Sequence, residues 1–299
     1  MLLGTYNGAR HLREQLRSFA LQSWQDWSLH VSDDGSQDAT LQLVDQFSKE
    51  VEQDVHVRTG PRSGLARNFM ALAADKSLKA NFFAFSDQDD VWLPHKLAEA
   101  VGWMASVPSN VPALYLSRTE LIDDAGALIG RSQLFRRPPS FRNALAQSIG
   151  GANTMVFNSA VKRLFETVGH KEFSFHDWNT YQIVTAVGGT VRYDPHPSIR
   201  YRQHGANVLG SNRGLRSRLA RLRMVWDGKF ADWNEINIDL LRTLGHMMPS
   251  ENLQILDRFA EARRSPLGPR LWNIYRAGVC RQTVQGNFDL YLAAILGRI

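Results

Sequence analysis

Two spacings of hydrophobic residues alternate along the first hundred positions of the chain. Leu12, Leu16 and Phe19 recur every three or four positions and predict a helix, whereas residues 27–32 alternate between apolar and polar side chains and predict a strand. Further helices are predicted around residues 41–47, at 65–74 and from Pro94, and further strands at 55–57 and 81–86. Repeated strand–turn–helix units are typical of an α/β protein with a mainly parallel sheet.

The second half of the chain adds further strands and then becomes helical. Strands are predicted at 114–117, 154–157 and 190–193, and a helix begins at residues 175–178. From Leu215 onward the apolar spacing is helical almost to the end, with breaks at the prolines. We therefore expect an α/β domain over residues 1–210 and a helical C-terminal extension over 211–299.

Acidic residues follow two of the predicted strands. Asp33 and Asp34 come after the second strand, and Asp87, Asp89 and Asp90 come after the strand at 81–86. In such sheets the ligand binds beyond the carboxyl ends of the strands. Asp87 and Asp89 are two positions apart, so they point to the same side of an extended chain, and two carboxylates suit Mg²⁺ or Mn²⁺. A solvated turn leading into the helix at Pro94 is the alternative, since acids are common in turns.

Asp177 and His204 are further candidates. Asp177 lies in the first turn of a predicted helix. An acid at this position is explained equally well by a favourable interaction with the helix dipole or by a catalytic role. His204 lies in a predicted polar loop, and a functional role for it requires that the fold bring it back to the acids.

The charge of the chain is unevenly distributed. The whole sequence has 35 basic and 29 acidic residues, and the last 89 residues hold 14 and 8 of them, which leaves 21 of each in residues 1–210. The net charge of +6 therefore belongs entirely to residues 211–299, whereas a uniformly basic protein would suggest nucleic acid. No stacking-aromatic motif for RNA is found, so no nucleic-acid partner is expected.

The C-terminal region contains an arginine-rich segment with apolar residues at helical spacing. It predicts an amphipathic helix, for which packing on the catalytic core with the arginines in water is favoured and contact with an anionic membrane surface is the alternative. Residues 271–276 and 290–296 are a second, more aromatic or apolar candidate for membrane contact. The segment consists of Arg213, Arg216, Arg218, Arg221 and Arg223 with Leu215, Leu219, Leu222 and Trp226.

Several classes of protein are disfavoured by motifs that the sequence lacks. The single cysteine, Cys280, permits neither an internal disulfide nor a cysteine-based zinc site. There is no run of about 18 apolar residues and no signal-peptide pattern, so a cytoplasmic protein is expected. The phosphate loop of ATPases, the glycine fingerprint of dehydrogenases and the nucleophile elbow of serine hydrolases are also missing.

Five segments, in this order along the chain, resemble the motifs of the family-2 glycosyltransferases, which have the GT-A fold. The likeness extends over about residues 2–210, and the pattern Ser-Asp-Gln-Asp-Asp-x-Trp-x-Pro-x-Lys-Leu at 86–97 is similar to the bacterial rhamnosyltransferase branch in particular. The segments are 4–8, 31–38, 64–69, 85–97 and 201–207.

The resemblance implies a role for each residue that matches a family motif. Asp177 would be the catalytic base and Asp89 a metal ligand. His204 would be a second metal ligand or would contact the diphosphate. Asp34 would accept the N3–H of a uracil or thymine ring, and the Gly150–Gly151 turn would lie beneath the sugar and the acceptor. Nucleotide-sugar binding is implied for Thr5, Tyr6, Asn7, Asp34, Asn68, Asp87 and Gly151.

The reaction implied is a metal-dependent transfer with inversion at the anomeric carbon. The donor would be a dTDP- or UDP-sugar, with L-rhamnose as the leading candidate, and the acceptor a hydroxyl of a growing surface or lipid-linked glycan. Mg²⁺ or Mn²⁺ would neutralise the leaving diphosphate while the base deprotonates the acceptor. The enzyme would be cytoplasmic and peripheral on the inner face of the membrane.

Two alternatives and one departure from the family pattern accompany this interpretation. A nucleotidyltransferase could use a similar sheet and acidic metal site, and a non-catalytic nucleotide-sugar-binding or membrane-scaffold protein could keep the fold without turnover. The departure is at the first strand, where only Leu2 and Leu3 supply apolar residues before the turn, so a short strand is expected.

Overall fold

The fold is built on one mixed β-sheet with helices packed against it. A computed structural model describes residues 1–169, 171–203 and 228–299. Within them nine strands form the sheet in the order β3-β2-β1-β4-β8-β6-β9-β5, with β7 paired to β6. The strands are β1 (Leu2–Thr5), β2 (Leu29–Asp33), β3 (Val55–Thr59), β4 (Phe82–Ser86), β5 (Val91–Trp92), β6 (Ala113–Ile122), β7 (Leu128–Arg131), β8 (Val156–Asn158) and β9 (Thr190–Arg202).

The first half of the sheet is parallel, as the strand–turn–helix pattern predicts. β3, β2, β1 and β4 run in one direction, and helices cross over between them. β8 is antiparallel to both β4 and β6, and β6 and β9 are parallel to each other, so their carboxyl ends lie at the same edge as those of β1, β2 and β4. The fold class is confirmed. The helices are α1 (Ala9–Ala20), α2 (Thr40–Glu50), α3 (Leu65–Ala73), α4 (Lys96–Met104), α5 (Phe141–Ala144), α6 (Ser159–Val168), α7 (His176–Ala186), α8 (Lys229–Arg242), α9 (Ser250–Arg264), α10 (Leu267–Ala277) and α11 (Val284–Ile295).

The short first strand occupies the middle of the parallel half. β1 pairs with β2 on one side and with β4 on the other, and all four of its residues are buried. Leu2 and Leu3 are completely covered by two different hydrophobic clusters, one on each face of the sheet. Four residues therefore suffice for a central strand, because neighbouring strands satisfy its backbone on both edges.

The last strand is longer than its sequence pattern indicates. The sequence predicts a strand at 190–193 and a polar loop from Tyr201, but β9 continues to Arg202 and pairs with β6 along almost its whole length. His204 and the arginine-rich segment at 213–223 lie outside the described residues.

The C-terminal helices share a hydrophobic core with the sheet-bearing part of the chain. The indole of Trp178 on α7 stacks on Phe230 of α8 with ring centroids 5.9 Å apart. Asn179 Nδ2 donates to Asn237 Oδ1 at 2.7 Å, so polar atoms are also paired across this contact. α7 is thereby buried between the sheet and the helical region. The division of the chain at residue 210 stays a prediction.

None of the helices within the three described ranges combines the length and the apolarity needed to cross a bilayer.

Candidate active site

The turn after β1 is held by the turn after β2. Thr5 Oγ1 donates to Asp33 Oδ2 at 2.8 Å, and the backbone N–H of Asp34 donates to the carbonyl of Thr5 at 2.8 Å. Burial favours the protonated form of Asp33, but hydrogen bonds from Ser36, Thr5 and Gly35 outweigh it and lower its pKa. Asp33 is thus a buried structural anion, and it leaves Asp34 as the acid that faces outward.

Gln88, the middle residue of the Asp-Gln-Asp motif, fastens the motif to the first turn. The backbone N–H of Tyr6 donates to Gln88 Oε1 at 2.8 Å, and Gln88 Nε2 donates back to the carbonyl of Tyr6 at 3.0 Å. A Cβ at Gly8 would meet the Gln88 amide, so a larger residue there would displace this side chain and disturb the bridge. The exposed side chain of Tyr6 is left facing solvent beside this bridge.

Asn7 closes the same turn with a left-handed backbone. Its φ is 47°, a conformation that asparagine adopts more readily than most residues. Its N–H donates to Ser36 Oγ at 2.9 Å, and its Oδ1 accepts from the N–H of Gln37 at 2.8 Å. Asn7 therefore ties the loops after β1 and β2 together.

The carboxylate of Asp34 is oriented by the loop that precedes α3. Oδ1 accepts the N–H of Arg62 at 2.6 Å, and Oδ2 accepts the N–H of Gly64 at 2.8 Å. Asn68 lies below this loop and is buried, with its Nδ2 donating to the Ser32 carbonyl and its Oδ1 accepting from the Ser32 hydroxyl. Both amide atoms of Asn68 are therefore engaged within the protein, and its side chain links α3 to β2.

Four carboxyl groups from two distant parts of the chain meet at this edge of the sheet. Burial raises the pKa of Asp87 well above its usual value, and the charges of the neighbouring carboxyl groups raise it further. Those neighbours are Asp90, Asp89 and Asp177. The structure thus brings Asp177, predicted from its position on a helix, to the Asp-Gln-Asp motif.

A divalent cation fits the chemistry of this cluster. Its oxygen donors are those that Mg²⁺ and Mn²⁺ prefer, and a cation would offset the mutual repulsion that raises the pKa of Asp87. Within the described ranges, no group of three histidine, cysteine or acidic residues is arranged as a complete ligand set. Asp87 and Asp89 could supply part of a set, to which His204, outside these ranges, would be added.

Asp177 is presented by the first turn of α7, and the neighbouring His176 anchors that turn. The imidazole of His176 is buried, stacks on Phe69 at 4.5 Å between ring centroids, and meets Phe85 edge-on at 5.8 Å. Burial raises the pKa of Asp177 to about 6, although backbone N–H groups of the turn act in the opposite direction. A carboxylate with a raised pKa is better suited to accept a proton near neutral pH.

Asp90 links the Asp-Gln-Asp loop to the turn at Gly151. Its Oδ1 accepts the N–H of Arg202 at 3.0 Å, and its Oδ2 accepts from Asn153 Nδ2. The fully buried Lys96 donates from Nζ to the Asn153 carbonyl at 2.9 Å. Burial and then the charge of the adjacent acid raise the pKa of Asp90 to about 7.

The turn at Gly151 begins the short helical turn that carries Asn153. The carbonyl of Gly151 accepts the N–H of Thr154 at 3.0 Å and its hydroxyl at 2.8 Å. Asp90 and Lys96 have no role among the residues predicted from the sequence, although both lie within the motif at 86–97. Their place in that motif is the signal that could have found them.

Arg202 is a further residue of the site that the sequence does not single out. Its side chain is buried at the end of β9, and Nε donates to the carbonyl of Asp89 at 3.0 Å. Nη1 donates to the carbonyls of Asp123 at 3.3 Å and Asp124 at 3.1 Å, and Nη2 forms an ion pair with Glu14. One guanidinium therefore holds several segments together at the edge of the site.

Comparison with known proteins places these features in one family. A family model described as glycosyl transferase family 2 matches residues 2–165. The dTDP-rhamnosyl transferase RfbG of Shigella flexneri is 28% identical over 238 residues, which cover 75% of this chain and 78% of that protein. The Escherichia coli UDP-Glc:alpha-D-GlcNAc-diphosphoundecaprenol beta-1,3-glucosyltransferase WfgD is 27% identical over 131 residues, covering 44% of this chain and 49% of that protein.

Solved structures agree on the fold at low sequence identity. S. aureus TarS 1–349 superposes with a TM-score of 0.55 at 14% identity, covering 93% of this chain and 89% of TarS 1–349. GalNAc-T7, crystallised with UDP, GalNAc and Mn²⁺, superposes with a TM-score of 0.53 at 12% identity, covering 99% of this chain and 56% of that chain.

Proposed function

Because the chain belongs to glycosyltransferase family 2, and is therefore a glycosyltransferase of the GT-A fold, we propose that it transfers a sugar with inversion to a glycan hydroxyl. The donor in this proposal is a dTDP- or UDP-sugar, and dTDP-L-rhamnose is our first choice. The observation that carries the proposal is the meeting of Asp177 with Asp87 and Asp89 at the carboxyl edge of the sheet. A base and a candidate metal site on one edge suit displacement of a diphosphate by a hydroxyl.

In the proposed reaction Asp177 takes the proton of the acceptor hydroxyl as its oxygen attacks the anomeric carbon. The C–O bond to the diphosphate breaks on the opposite face of the sugar, so one displacement inverts the configuration. Asp34 and the turn at Thr5–Asn7 would hold the base and ribose, and Gly151 would lie beneath the sugar. Mg²⁺ or Mn²⁺, when bound by Asp89 and His204 with Asp87 nearby, would supply the positive charge that a leaving diphosphate needs.

The choice of donor and acceptor rests on the relatives. RfbG is named as a dTDP-rhamnosyl transferase, and it aligns with three quarters of this chain, which supports rhamnose and a thymine or uracil nucleotide. WfgD is named for an acceptor carried on diphosphoundecaprenol, which supports a lipid-linked glycan. An acceptor of that kind would keep the enzyme at the cytoplasmic face of a membrane, with the catalytic residues within 1–210 and residues 211–299 toward the lipid.

Transfer and binding can be tested separately with Asp177→Asn. The variant should lose about 10²–10⁴-fold in transfer rate while its affinity for dTDP-rhamnose is unchanged, because the base acts only on the acceptor. Asp45→Asn, an exposed acid on α2, is the matched control and should behave as wild type. Near-wild-type transfer by Asp177→Asn would refute its assignment as the base.

Donor and metal can be identified by thermal shift with a panel of nucleotide sugars, with and without Mn²⁺. We expect the largest stabilisation with dTDP-rhamnose and Mn²⁺ together, and Asp89→Ala should abolish the effect of the metal. Stabilisation by another nucleotide sugar would reassign the donor. Release of pyrophosphate from a nucleoside triphosphate would instead favour a nucleotidyltransferase, and donor binding without turnover would favour a non-catalytic binding protein.

A further inference from the structure

Exposed apolar side chains are concentrated on the last two helices. Seven of the seventeen large apolar residues that are exposed in the described parts of the chain lie between residues 267 and 296, although this range is only about a tenth of the sequence. Single exposed apolar residues are normal on a soluble protein, but a group of this density marks an interaction surface. The seven are Leu267, Trp272, Tyr275, Val284, Phe288, Ile295 and Leu296.

The exposed residues of each helix lie on one face. On α10 the rings of Trp272 and Tyr275, which are 58% and 66% exposed, lie 5.9 Å apart. On α11, Val284, Phe288 and Ile295 follow at spacings of four and seven, so they share one side of the helix. The opposite side of each helix is buried in the core that includes α7. The two exposed faces are therefore not needed to hold the fold together.

The two helices are fastened to each other at their ends. Arg270, in the first turn of α10, donates from Nη1 to the carbonyl of Ala294 at 3.0 Å, near the end of α11. It also lies against Gly297. The start of α10 thus lies beside the end of α11. We define the α10–α11 face as the seven exposed apolar residues between 267 and 296 that these two adjoining helices carry.

The segment that carries the α10–α11 face has a net positive charge. Residues 265–299 contain four arginines and one acid, Asp289, a net charge of +3. The guanidinium of Arg276 lies over the ring of Trp272 at 5.6 Å from its centroid, so positive charge stands on the face itself. Tryptophan and tyrosine beside arginine are typical of the interface between lipid headgroups and acyl chains.

This charge pattern decides between two occupants. A second copy of the chain meeting the same face would bring like charges together, because a two-fold contact pairs a surface with itself. An anionic lipid surface offers the opposite charge to the arginines and an apolar layer for the aromatic rings.

We propose that the α10–α11 face docks on an anionic phospholipid bilayer, with Trp272, Tyr275 and Phe288 inserted at the headgroup level and Arg276 among the phosphates. The proposal deepens the membrane placement under the proposed function and rests on it only for its biological purpose. It also assigns membrane contact to helices that are folded onto the catalytic core, so docking fixes the orientation of the active site relative to the lipid.

The test is co-sedimentation of the full chain with phosphatidylcholine vesicles that contain or lack phosphatidylglycerol. Wild type should bind the anionic vesicles, and Trp272→Ser/Phe288→Ser should bind them at least about tenfold more weakly. The matched control is Leu128→Ser/Ile129→Ser, which removes two equally exposed apolar side chains from β7 and should bind as wild type. Arg276→Gln should weaken binding to anionic vesicles more than binding to neutral ones.

Each other outcome overturns the proposal. Equal binding by Trp272→Ser/Phe288→Ser and wild type would show that another part of the chain contacts lipid, and an absence of binding by wild type would remove the surface altogether. A wild-type dimer in light scattering that the double variant dissociates would assign the face to a second copy. Sugar transfer to a soluble acceptor, measured without vesicles, should be the same in all variants, so failure of docking is distinguishable from failure of the proposed function.

Discussion

Replacing Arg202 with lysine tests how the candidate active site is held together. The substitution keeps the positive charge and most of the aliphatic stem, but it replaces a planar fork of five donors with a single ammonium. Arg202 uses the fork to bind the carbonyls of Asp89, Asp123 and Asp124 while pairing with Glu14. An ammonium cannot reach all of these acceptors from one position, so the variant separates charge from geometry.

The magnitude follows from the acceptors left without a donor. If the lysine satisfies Glu14 and one carbonyl, two backbone carbonyls lose their partner, and a buried unsatisfied acceptor costs about 1–3 kcal/mol. Two such acceptors would cost about 2–6 kcal/mol if fully buried. Because these hydrogen bonds are only partly buried, we expect the free energy of unfolding to fall by about 2–4 kcal/mol. Release of the Asp89 carbonyl also frees the Asp-Gln-Asp loop, and a displacement of about 1 Å in a catalytic group can lower the rate about 10²-fold.

The assay is release of nucleoside diphosphate for kcat/KM, together with urea unfolding followed by tryptophan fluorescence. Arg200→Lys is the matched control, since Arg200 lies on the same strand and forms a half-exposed ion pair with Glu120 at 3.4 Å. It should change stability by less than about 1 kcal/mol and leave the rate as in wild type. A stable Arg202→Lys variant with wild-type kcat/KM would refute the reasoning. A loss of stability without a change in kcat/KM would limit Arg202 to a structural role.

Three further predictions concern α7 and the region that covers it. The rate of transfer should fall about tenfold for each pH unit below about 6. Asp177 faces Asp87 and Tyr201, burial raises its pKa to about 6, and a base must be deprotonated to act. Because ionised Asp177 is unfavourable in the folded protein, Asp177→Asn should be about 1–3 kcal/mol more stable than wild type at pH 7. His176→Phe should keep a buried aromatic ring. It should also remove the pH dependence of stability that arises because burial lowers the pKa of His176 to about 3. Since the unfolded chain takes up a proton below about pH 6.5 that folded His176 cannot, wild type should lose about 2 kcal/mol relative to this variant between pH 7 and pH 5, measured by urea unfolding. A fragment of residues 1–210 should show no cooperative unfolding transition in urea. Removal of α8–α11 exposes the hydrophobic core that these helices share with α5 and α7. The burial energy lost is about 5–9 kcal/mol, which is comparable to the stability of a whole domain.

A specific experimental result would contradict each of these predictions. A flat rate profile between pH 5 and pH 7 would mean that Asp177 does not titrate in the rate-limiting step. Parallel loss of stability in wild type and His176→Phe would assign the pH dependence to other groups. A sharp urea transition for residues 1–210, matched to that of the full chain, would show that the helical region is an independent unit.

The parts of the site that the sequence predicted are those whose signal is local. Asp87 and Asp89 are recognisable because they directly follow an apolar strand, and a general rule about α/β sheets then gives their position at the carboxyl edge. Asp177 is 88 residues further along the chain, and only the family resemblance connected it with them. Nothing in the spacing of residues shows that two segments so far apart will meet.

Asp90 shows why other parts could not be predicted. In the sequence it is one more acid in an acidic turn, indistinguishable from its neighbour Asp89. In the structure it is completely buried and bonded to the backbone of Arg202 and the side chain of Asn153, so its role depends on partners 63 and 112 residues away. Burial and long-range pairing are properties of the fold, and a one-dimensional pattern does not contain them.

α7 illustrates the same limit for secondary structure. Its start was predicted, but its helical face was not, because Asn179, Thr180 and Gln182 are as buried as the apolar residues between them. An amphipathic pattern arises only when one side of a helix meets water. Here the sheet covers one side and the C-terminal helices cover the other, so the pattern is lost.

The bridge between Gln88 and the backbone of Tyr6 has a consequence for selectivity. It joins the turn proposed to hold the nucleotide base to the loop proposed to hold the diphosphate, and two hydrogen bonds prevent the loops from moving apart. In the proposed complex the bridge would therefore hold the nucleotide base and the diphosphate of the donor at a fixed separation. Because that separation is the same for every nucleoside diphosphate sugar, we expect the choice between one sugar and another to depend on the Gly151 turn and the beginning of α7.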